Sequence, residues 1–307
     1  MGKPIVVFGS FAVDLISRTD GMPAPGQTVL GRSFYMGPGG KGSNQAVAAF
    51  RAGADVTLVT KLGMDMLAEV AMDFYKREGM STEYIFRDGK AATGTAQILV
   101  DETTAQNEIV VVPGACSHIT REDAERCRSL IEHASILLLQ HEIQMDAQKA
   151  VIEIASQAGV RIILNPAPAV PVPEEILARI DTITPNETEA RILTGITVDS
   201  FETARKAAGV FLDKGVRNVV ITMGAMGAYA DNGEKRELLP CMKAEAIDTT
   251  GAGDAFNGAF ATALSEGKDI FEAMRYGNAA GALAVTRQGT APAMALRSEI
   301  EKLLEES

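Results

Sequence analysis

A chain of 307 residues, 46% apolar and 22% charged, has the make-up of a soluble enzyme with a large core. Its formal net charge of −11 excludes a nucleic-acid or anionic-membrane surface, although a local cradle of amides can still bind phosphate. Cys116, Cys127 and Cys241 are too widely spaced for a disulfide framework or a cysteine metal site, and they predict a reducing, cytoplasmic setting.

The opening Met1-Gly2-Lys3-Pro4 carries no signal-peptide pattern, and Val6 stands where a myristoylation signal needs Ser or Thr. No apolar run reaches bilayer length. A buried strand is predicted over 5–8, ending at Gly9-Ser10. The Gly- and Pro-rich segment 21–40 follows, with strand-like patches around 28–30 and 33–35. A helix over 43–51 stops at Gly53, a strand runs over 56–59, and a helix over 67–77 stops at Gly79. Residues 94–100 and 108–112 flank a polar turn and predict a β-hairpin, which with the 26–36 patches forms a small separate sheet. Thr120 and Asp123 resemble a capping box. Strands are then predicted over 136–139, 160–164, 182–184 and 219–222, and helices over 146–158, 174–180, 187–193, 201–213, 254–265 and 269–286. Short apolar strands alternating with amphipathic helices imply a parallel sheet covered on both faces. With no repeat and no linker, the chain reads as one α/β domain carrying a small β insert.

The most informative stretch is Asp248-Thr249-Thr250-Gly251-Ala252-Gly253-Asp254-Ala255-Phe256-Asn257-Gly258. It places a glycine-rich loop at the start of a helix, where backbone amides and the helix dipole favour an anion. A carboxylate beside such a site opposes anion binding, so Asp254 either caps the helix or accepts a proton from an attacking hydroxyl. Gly37, Gly39 and Gly42 satisfy G-x-G-x-x-G but do not join the first strand to its helix, and Lys41 is followed by Gly42, so neither a dinucleotide fingerprint nor a P-loop is present. What remains around Gly40, Lys41 and Asn44 suits a polyhydroxylated ligand, or is a glycine hinge before an ordinary helix. Asp14, just past the first strand, could hold sugar hydroxyls or simply form a turn. Asn165-Pro166 and Thr184-Pro185-Asn186 each follow a strand. Asn186 and Glu189 share one helix face, suiting either a capping box or a water-coordinated magnesium ion. Thr222, Gly224 and Gly227 follow a further strand and would let a nucleotide lie against the backbone. His118, His133 and His141 show no metalloprotease spacing and read as surface or core residues.

In their joint order along nearly the whole chain, the runs 39–49, 165–169, 184–189 and 248–258 resemble the ribokinase family of carbohydrate kinases. That resemblance implies a three-layer α/β/α sandwich with a mostly parallel central sheet and a small β-sheet lid, with lid segments about 12–38 and 94–112. It implies ATP-dependent phosphorylation of the primary (O5) hydroxyl of a pentose, ribose first, and a homodimer formed through the lid. Asp14, Gly40, Lys41, Asn44 and Glu142 match the family's sugar contacts, Asp254 its catalytic base in the catalytic run from Gly251, and the amides of Ala252, Gly253 and Asp254 its anion hole. Asn186, Thr222, Gly224, Gly227, Gly253 and Asn278 fall in its nucleotide region, with Glu189 near Mg2+. Asp248, Thr250, Ala284, Arg287 and Gly289 match its K+ loop positions. Two positions depart from the family. Ala12 stands where ribokinases carry Asn and deoxyribokinases an apolar residue, and Ala293 stands where many have Ser. A 2-deoxyribokinase or another sugar or nucleoside kinase of the family is the alternative implied. A catalytically silent sugar-binding regulator would have no need of Gly251 to Asp254.

Overall fold

The computed structural model describes residues 4–104 and 106–307. Met1, Gly2 and Lys3, read above for targeting signals, and Ala105 in the hairpin turn lie outside the described residues.

A nine-stranded sheet forms the centre, in the order β13-β12-β11-β10-β9-β8-β1-β4-β5. Its members are β1 (Ile5–Phe8), β4 (Val56–Gly63), β5 (Ile85–Asp88), β8 (Ile136–Leu139), β9 (Arg161–Leu164), β10 (Thr182–Ile183), β11 (Asn218–Thr222), β12 (Ala228–Asp231) and β13 (Arg236–Leu239). Pairing is parallel except at the β11/β12 and β12/β13 edge. Successive strand residues face opposite sides. All four residues of β1 are fully buried, so helices cover both faces and the sandwich has three layers.

Those helices are α1 (Lys41–Arg51), α2 (Met66–Glu78), α3 (Arg121–Arg126), α4 (Arg128–Glu132), α5 (Met145–Ala158), α6 (Glu174–Leu177), α7 (Glu187–Thr194), α8 (Phe201–Asp213), α9 (Ala252–Ser265), α10 (Ile270–Ala284) and α11 (Arg297–Glu305). Helices α1, α9 and α10 pack together, with α1 and α9 against β1, while α5 lies against β9 and α8 against β11. Helix α9 is the innermost: from Asp254 to Ser265 every residue is buried. The α1–α9 contact is close because Gly258 offers no side chain. A Cβ there would lie 2.6 Å from the Gln45 carbonyl oxygen.

The expected lid is present as a separate four-stranded sheet, β3-β2-β6-β7. It comprises β2 (Ala12–Thr19), β3 (Gly31–Gly39), β6 (Thr95–Asp101) and β7 (Asn107–Val112). Its register aligns Asp14 with Ala96 and Val111, and Ile16 with Ile98 and Ile109, on the face toward the main domain.

Several predicted bounds move. The strand expected over 56–59 runs on to Gly63, because Lys61 buries its ammonium against Asp123 and the His118 carbonyl instead of ending the strand. The patch at 28–30 stays outside the sheet, with Leu30 92% exposed, and β3 begins at Gly31. The helix over 174–180 shrinks to α6, whose last turn is held only by short-range bonds. Asp14 lies within β2, not in a turn after β1.

Candidate active site

Two cavities meet at Asp254. The larger, about 610 Å³, lies between the lid and the C-terminal ends of the central strands and includes Asp14, Gly40, Lys41, Asn44, Glu142 and Asp254 in its walls. The smaller, about 150 Å³, includes Asn186, Glu189, Thr222, Gly253 and Asp254. Lys41 and Gly251 also line both.

The two helix N-termini at this junction differ in their free amides. At the start of α1, the Lys41 N–H donates to Glu142 Oε2 at 2.9 Å and the Gly42 N–H to Ser10 Oγ at 3.1 Å. Ser43 and Asn44 donate to the Ser10 and Gly40 carbonyls. Those four amides are therefore occupied, and the first turn of α1 meets a ligand through its side chains. Glu142 caps α1 from outside the helix, taking the Ser10 hydroxyl on the same oxygen. At the start of α9, Gly251 adopts φ 80° and turns the chain into the helix. The Ala252 N–H donates to the Thr249 carbonyl at 3.3 Å, whereas the Gly253 and Asp254 amides have no acceptor among the described residues. Of the three amides expected to form the anion hole, two are open and one is engaged. A Cβ on Gly253 would meet no atom within 4 Å, so the space before these amides is clear.

The Asp254 carboxylate is held by two amides of α1. Asn44 Nδ2 donates to Oδ2 and Gln45 Nε2 to Oδ1, each at 2.9 Å. This leaves Asn44 Oδ1 buried and, among the described residues, without a partner, able to accept from a hydroxyl. Asp14 packs its carboxylate over the α-carbon of Gly39 and accepts from Thr290 Oγ1 at 2.8 Å. Burial pushes its pKa from 3.8 up to about 6 against that hydrogen bond, helped by repulsion from Asp254, Glu142 and Asp248. Lys41 is held above its ordinary value, first by Asp254 and then by Glu142 and Glu189. His141, beside Glu142 on the larger cavity, is pushed down to about 4 by burial, so its ring is neutral.

On the other side, Asn186 and Glu189 form the reciprocal capping box: Oδ1 accepts from the Glu189 N–H and Oε2 from the Asn186 N–H. Glu189 Oε1 has no protein partner among the described residues, and burial raises the pKa of this carboxyl. One free carboxylate oxygen beside a phosphate-sized space fits a water-coordinated Mg2+. Thr222 bridges to Asn186 across the strand ends. Gly224 and Gly227 lie farther out. Gly227 adopts φ 100°, and a Cβ there would collide with the Leu239 carbonyl and stand 2.6 Å from the Cys241 nitrogen, so both backbone and packing require glycine. Asn278 meets the same segment, donating to the Pro240 carbonyl at 2.7 Å.

The expected K+ residues adjoin as two loops. Asp248 accepts from the Thr250 N–H at 3.0 Å and the Gly289 N–H at 3.2 Å, and the Ala284 carbonyl accepts from the Arg287 N–H. The Arg287 side chain turns away to pair with Glu299. Among the described residues no hydrogen bond reaches the carbonyls of Thr250, Arg287 or Gly289. A carbonyl-rich donor set of this kind fits a large monovalent cation. Ala293, buried in the adjoining turn, offers no hydroxyl.

Gln45, Ser10, Asn165 and Thr290 escaped the sequence reading as functional residues. Asn165 and Gln45 stood inside motifs that were noticed for other reasons. Thr290, far from Asp14 in the chain, left no local signal.

The profile of the pfkB family carbohydrate kinases matches residues 3–296. A ribokinase of Haemophilus influenzae is 40% identical over 305 residues, 99% of each chain. A deoxyribokinase of Salmonella typhi is 36% identical over 287 residues, covering 93% of this chain and 94% of its own. The structure of Arabidopsis thaliana ribokinase with ribose and ATP superposes with a TM-score of 0.92 over 100% of both chains at 32% identity.

Proposed function

The chain belongs to the pfkB family of carbohydrate kinases, and on that premise we propose that it transfers the γ-phosphoryl group of ATP to the primary O5 hydroxyl of a pentose, ribose first. One observation carries this reading: Asp254 stands in the wall shared by a sugar-sized cavity and a phosphate-sized one, beside two unoccupied helix amides.

In this proposal the sugar enters under the lid. Asp14 accepts from ring hydroxyls, Asn44 Oδ1 and the remaining oxygen of Glu142 accept others, and Lys41 and the Gly40 backbone close the opposite side. Asp254 then accepts the O5 proton as that oxygen attacks. A sugar hydroxyl is far less acidic than a carboxylic acid, so the proton moves with or after bond formation, and base assistance is worth about 10²–10⁴-fold. The Gly253 and Asp254 amides take the charge on the transferring group. Mg2+, held through water by Glu189, would neutralise phosphate charge. A K+ ion on the Asp248, Thr250, Ala284, Arg287 and Gly289 loops would brace the N-terminus of α9. Thr222, Gly224, Gly227 and Asn278 are assigned to the nucleoside end.

The reading extends to a homodimer and a cytoplasmic setting. The lid exposes Phe34, Met36, Val110 and Val112, an apolar set that supports pairing with a second copy. All three cysteines are free, which supports a reducing compartment. Among the described residues no helix is long and apolar enough to cross a membrane.

A second reading, phosphorylation of 2-deoxyribose, is favoured by Ala12. Its methyl group lines the larger cavity where it can offer a hydroxyl no hydrogen bond. ADP release measured over ribose, 2-deoxyribose, adenosine, fructose and fructose 6-phosphate, in K+ and in Na+, tests both. Ribose turnover is expected to lead; a kcat/KM higher for 2-deoxyribose selects the second reading. No ADP above background with any acceptor refutes both.

A further inference from the structure

The Asp254 carboxylate is held from behind by a chain of buried amides, of which Gln45 and Gln140 line neither cavity and Asn165 lines the smaller one. Gln45 and Gln140 are both fully buried. Gln45 Nε2 donates to Asp254 Oδ1 at 2.9 Å and to Asn165 Oδ1 at 3.0 Å, while its Oε1 accepts from Gln140 Nε2 at 2.6 Å. Asn165 Nδ2 donates to the Thr184 carbonyl at 2.9 Å.

That last bond fixes the direction of the whole chain. A backbone carbonyl can only accept, so Asn165 must turn its Nδ2 to Thr184 and its Oδ1 to Gln45. Gln45 must then present its amino group to Asn165 and Asp254, and its oxygen to Gln140. Reversing Gln45 would set its oxygen against the carboxylate and the Asn165 oxygen, and its amino group against that of Gln140. The buried contacts to Asp254 and Asn165 would fail together, which locks the orientation, and Gln140 as it stands supports the same one.

We propose that Gln45, oriented by Asn165 and Gln140, is a positioning residue that aims the Asp254 carboxylate into the junction of the two cavities. The inference rests on the kinase reading above. The charged groups around Asp254 pull in opposite directions. Lys41, on α1, favours its anion; Asp14, on the lid strand β2, and Glu189, on α7, oppose it. Glu142 adds a further negative charge in the same cavity. Against these opposed charges, the N–H donors of Asn44 and Gln45 engage one carboxylate oxygen each. A hydrogen bond to an ionised oxygen favours that form, and its loss lets the group take up a proton at higher pH.

The test uses full-length Gln45→Glu and Gln140→Met. Glu at 45 keeps shape and an acceptor for Gln140 but replaces the donor at Asp254 with a negative charge. Met at 140 removes the donor to Gln45 Oε1 and with it one of the contacts that hold Gln45. Steady-state ADP release with saturating ATP and the best acceptor is followed from pH 5 to 9, after circular dichroism has shown which variants fold. The expected result is an acid limb of kcat displaced upward by about one pH unit or more in Gln45→Glu. Gln140→Met should show a smaller displacement in the same direction. At pH 7 kcat should fall about tenfold or more, with the sugar KM within about threefold. An acid limb that stays at the parent pH in the folded variants overturns the proposal, whatever happens to kcat or stability. If only Gln140→Met folds, its acid limb decides alone. A parent protein that releases no ADP refutes instead the kinase reading beneath it.

Discussion

Replacing Asp14 with Asn should make the ligand-free protein more stable while removing its hold on the sugar. Asp14 is 4% exposed and its pKa rises from 3.8 to about 6, burial being the largest cause. Between those values the folded chain keeps a proton that the unfolded chain has released. Stability is therefore lost as pH rises through this window, and the full cost is present above pH 6. The interval corresponds to roughly 3 kcal/mol at about 1.36 kcal/mol per pH unit. Asn carries no charge to desolvate, and its Oδ1 still accepts from Thr290 Oγ1, so no buried bond is lost in exchange. At roughly 2 °C per kcal/mol for a chain of this size, the melting temperature should rise by about 6 °C at pH 8 and by about 1 °C or less at pH 4. Differential scanning calorimetry of both proteins at the two pH values measures this directly. A variant that melts no higher than the parent at pH 8, or gains equally at both pH values, would refute the view that a buried charge is the source of the strain.

The same carboxylate predicts that the sugar KM climbs below pH 6 as Asp14 takes a proton, and that it climbs at least about tenfold in Asp14→Asn at pH 8; a flat pH–KM profile would contradict this. Asp254→Asn should lower kcat by about 10²–10⁴-fold with the sugar KM little changed, and near-parent turnover would remove Asp254 from the base role. Gly253→Ala gains up to about 1 kcal/mol of helix propensity and meets no protein atom, so its melting temperature should hold or rise. Its methyl group would nonetheless fill the space before the free amides, and kcat should fall at least about tenfold; parent-like rates would show that phosphoryl transfer occurs elsewhere. Glu189→Gln keeps an oxygen for the Asn186 N–H and so keeps the cap, but the Mg2+ concentration for half-maximal rate should rise about tenfold. An unchanged Mg2+ titration would exclude Glu189 from the metal.

The central strands were legible because they are buried on both faces, which leaves short unbroken apolar runs such as 5–8 and 136–139. The lid was legible from a hairpin that interrupts the alternation of strand and helix. What escaped were places where polar side chains do core work. Lys61 interrupts an apolar strand yet stays inside it through Asp123. Ser10 and Glu142 take up amides of α1 that the glycine run had suggested for a ligand. Asp254 stood out through its position in a glycine loop, whereas Gln45 and Thr290 act through contacts more than two hundred residues away in the chain. No local periodicity records contacts at that separation. Gly227, read for a nucleotide, also answers a local need that the sequence did not show: a Cβ there would collide with the Leu239 carbonyl.

The missing side chain at Gly258 has a consequence for how such a protein can diversify. With α1 and α9 in backbone contact, the α1 amides that hold Asp254 and the open N-terminus of α9 are joined into one block. A larger residue at 258 would prise apart both halves of the chemistry at once, with no intermediate state to select. Ala12, Ala96, Ile98, Ile109 and Val111 sit on the separate lid sheet and face the same cavity. Substitutions there can reshape the pocket around the sugar without moving the block. On the proposed reading, a switch of acceptor is therefore to be sought on the lid strands rather than on α1 or α9.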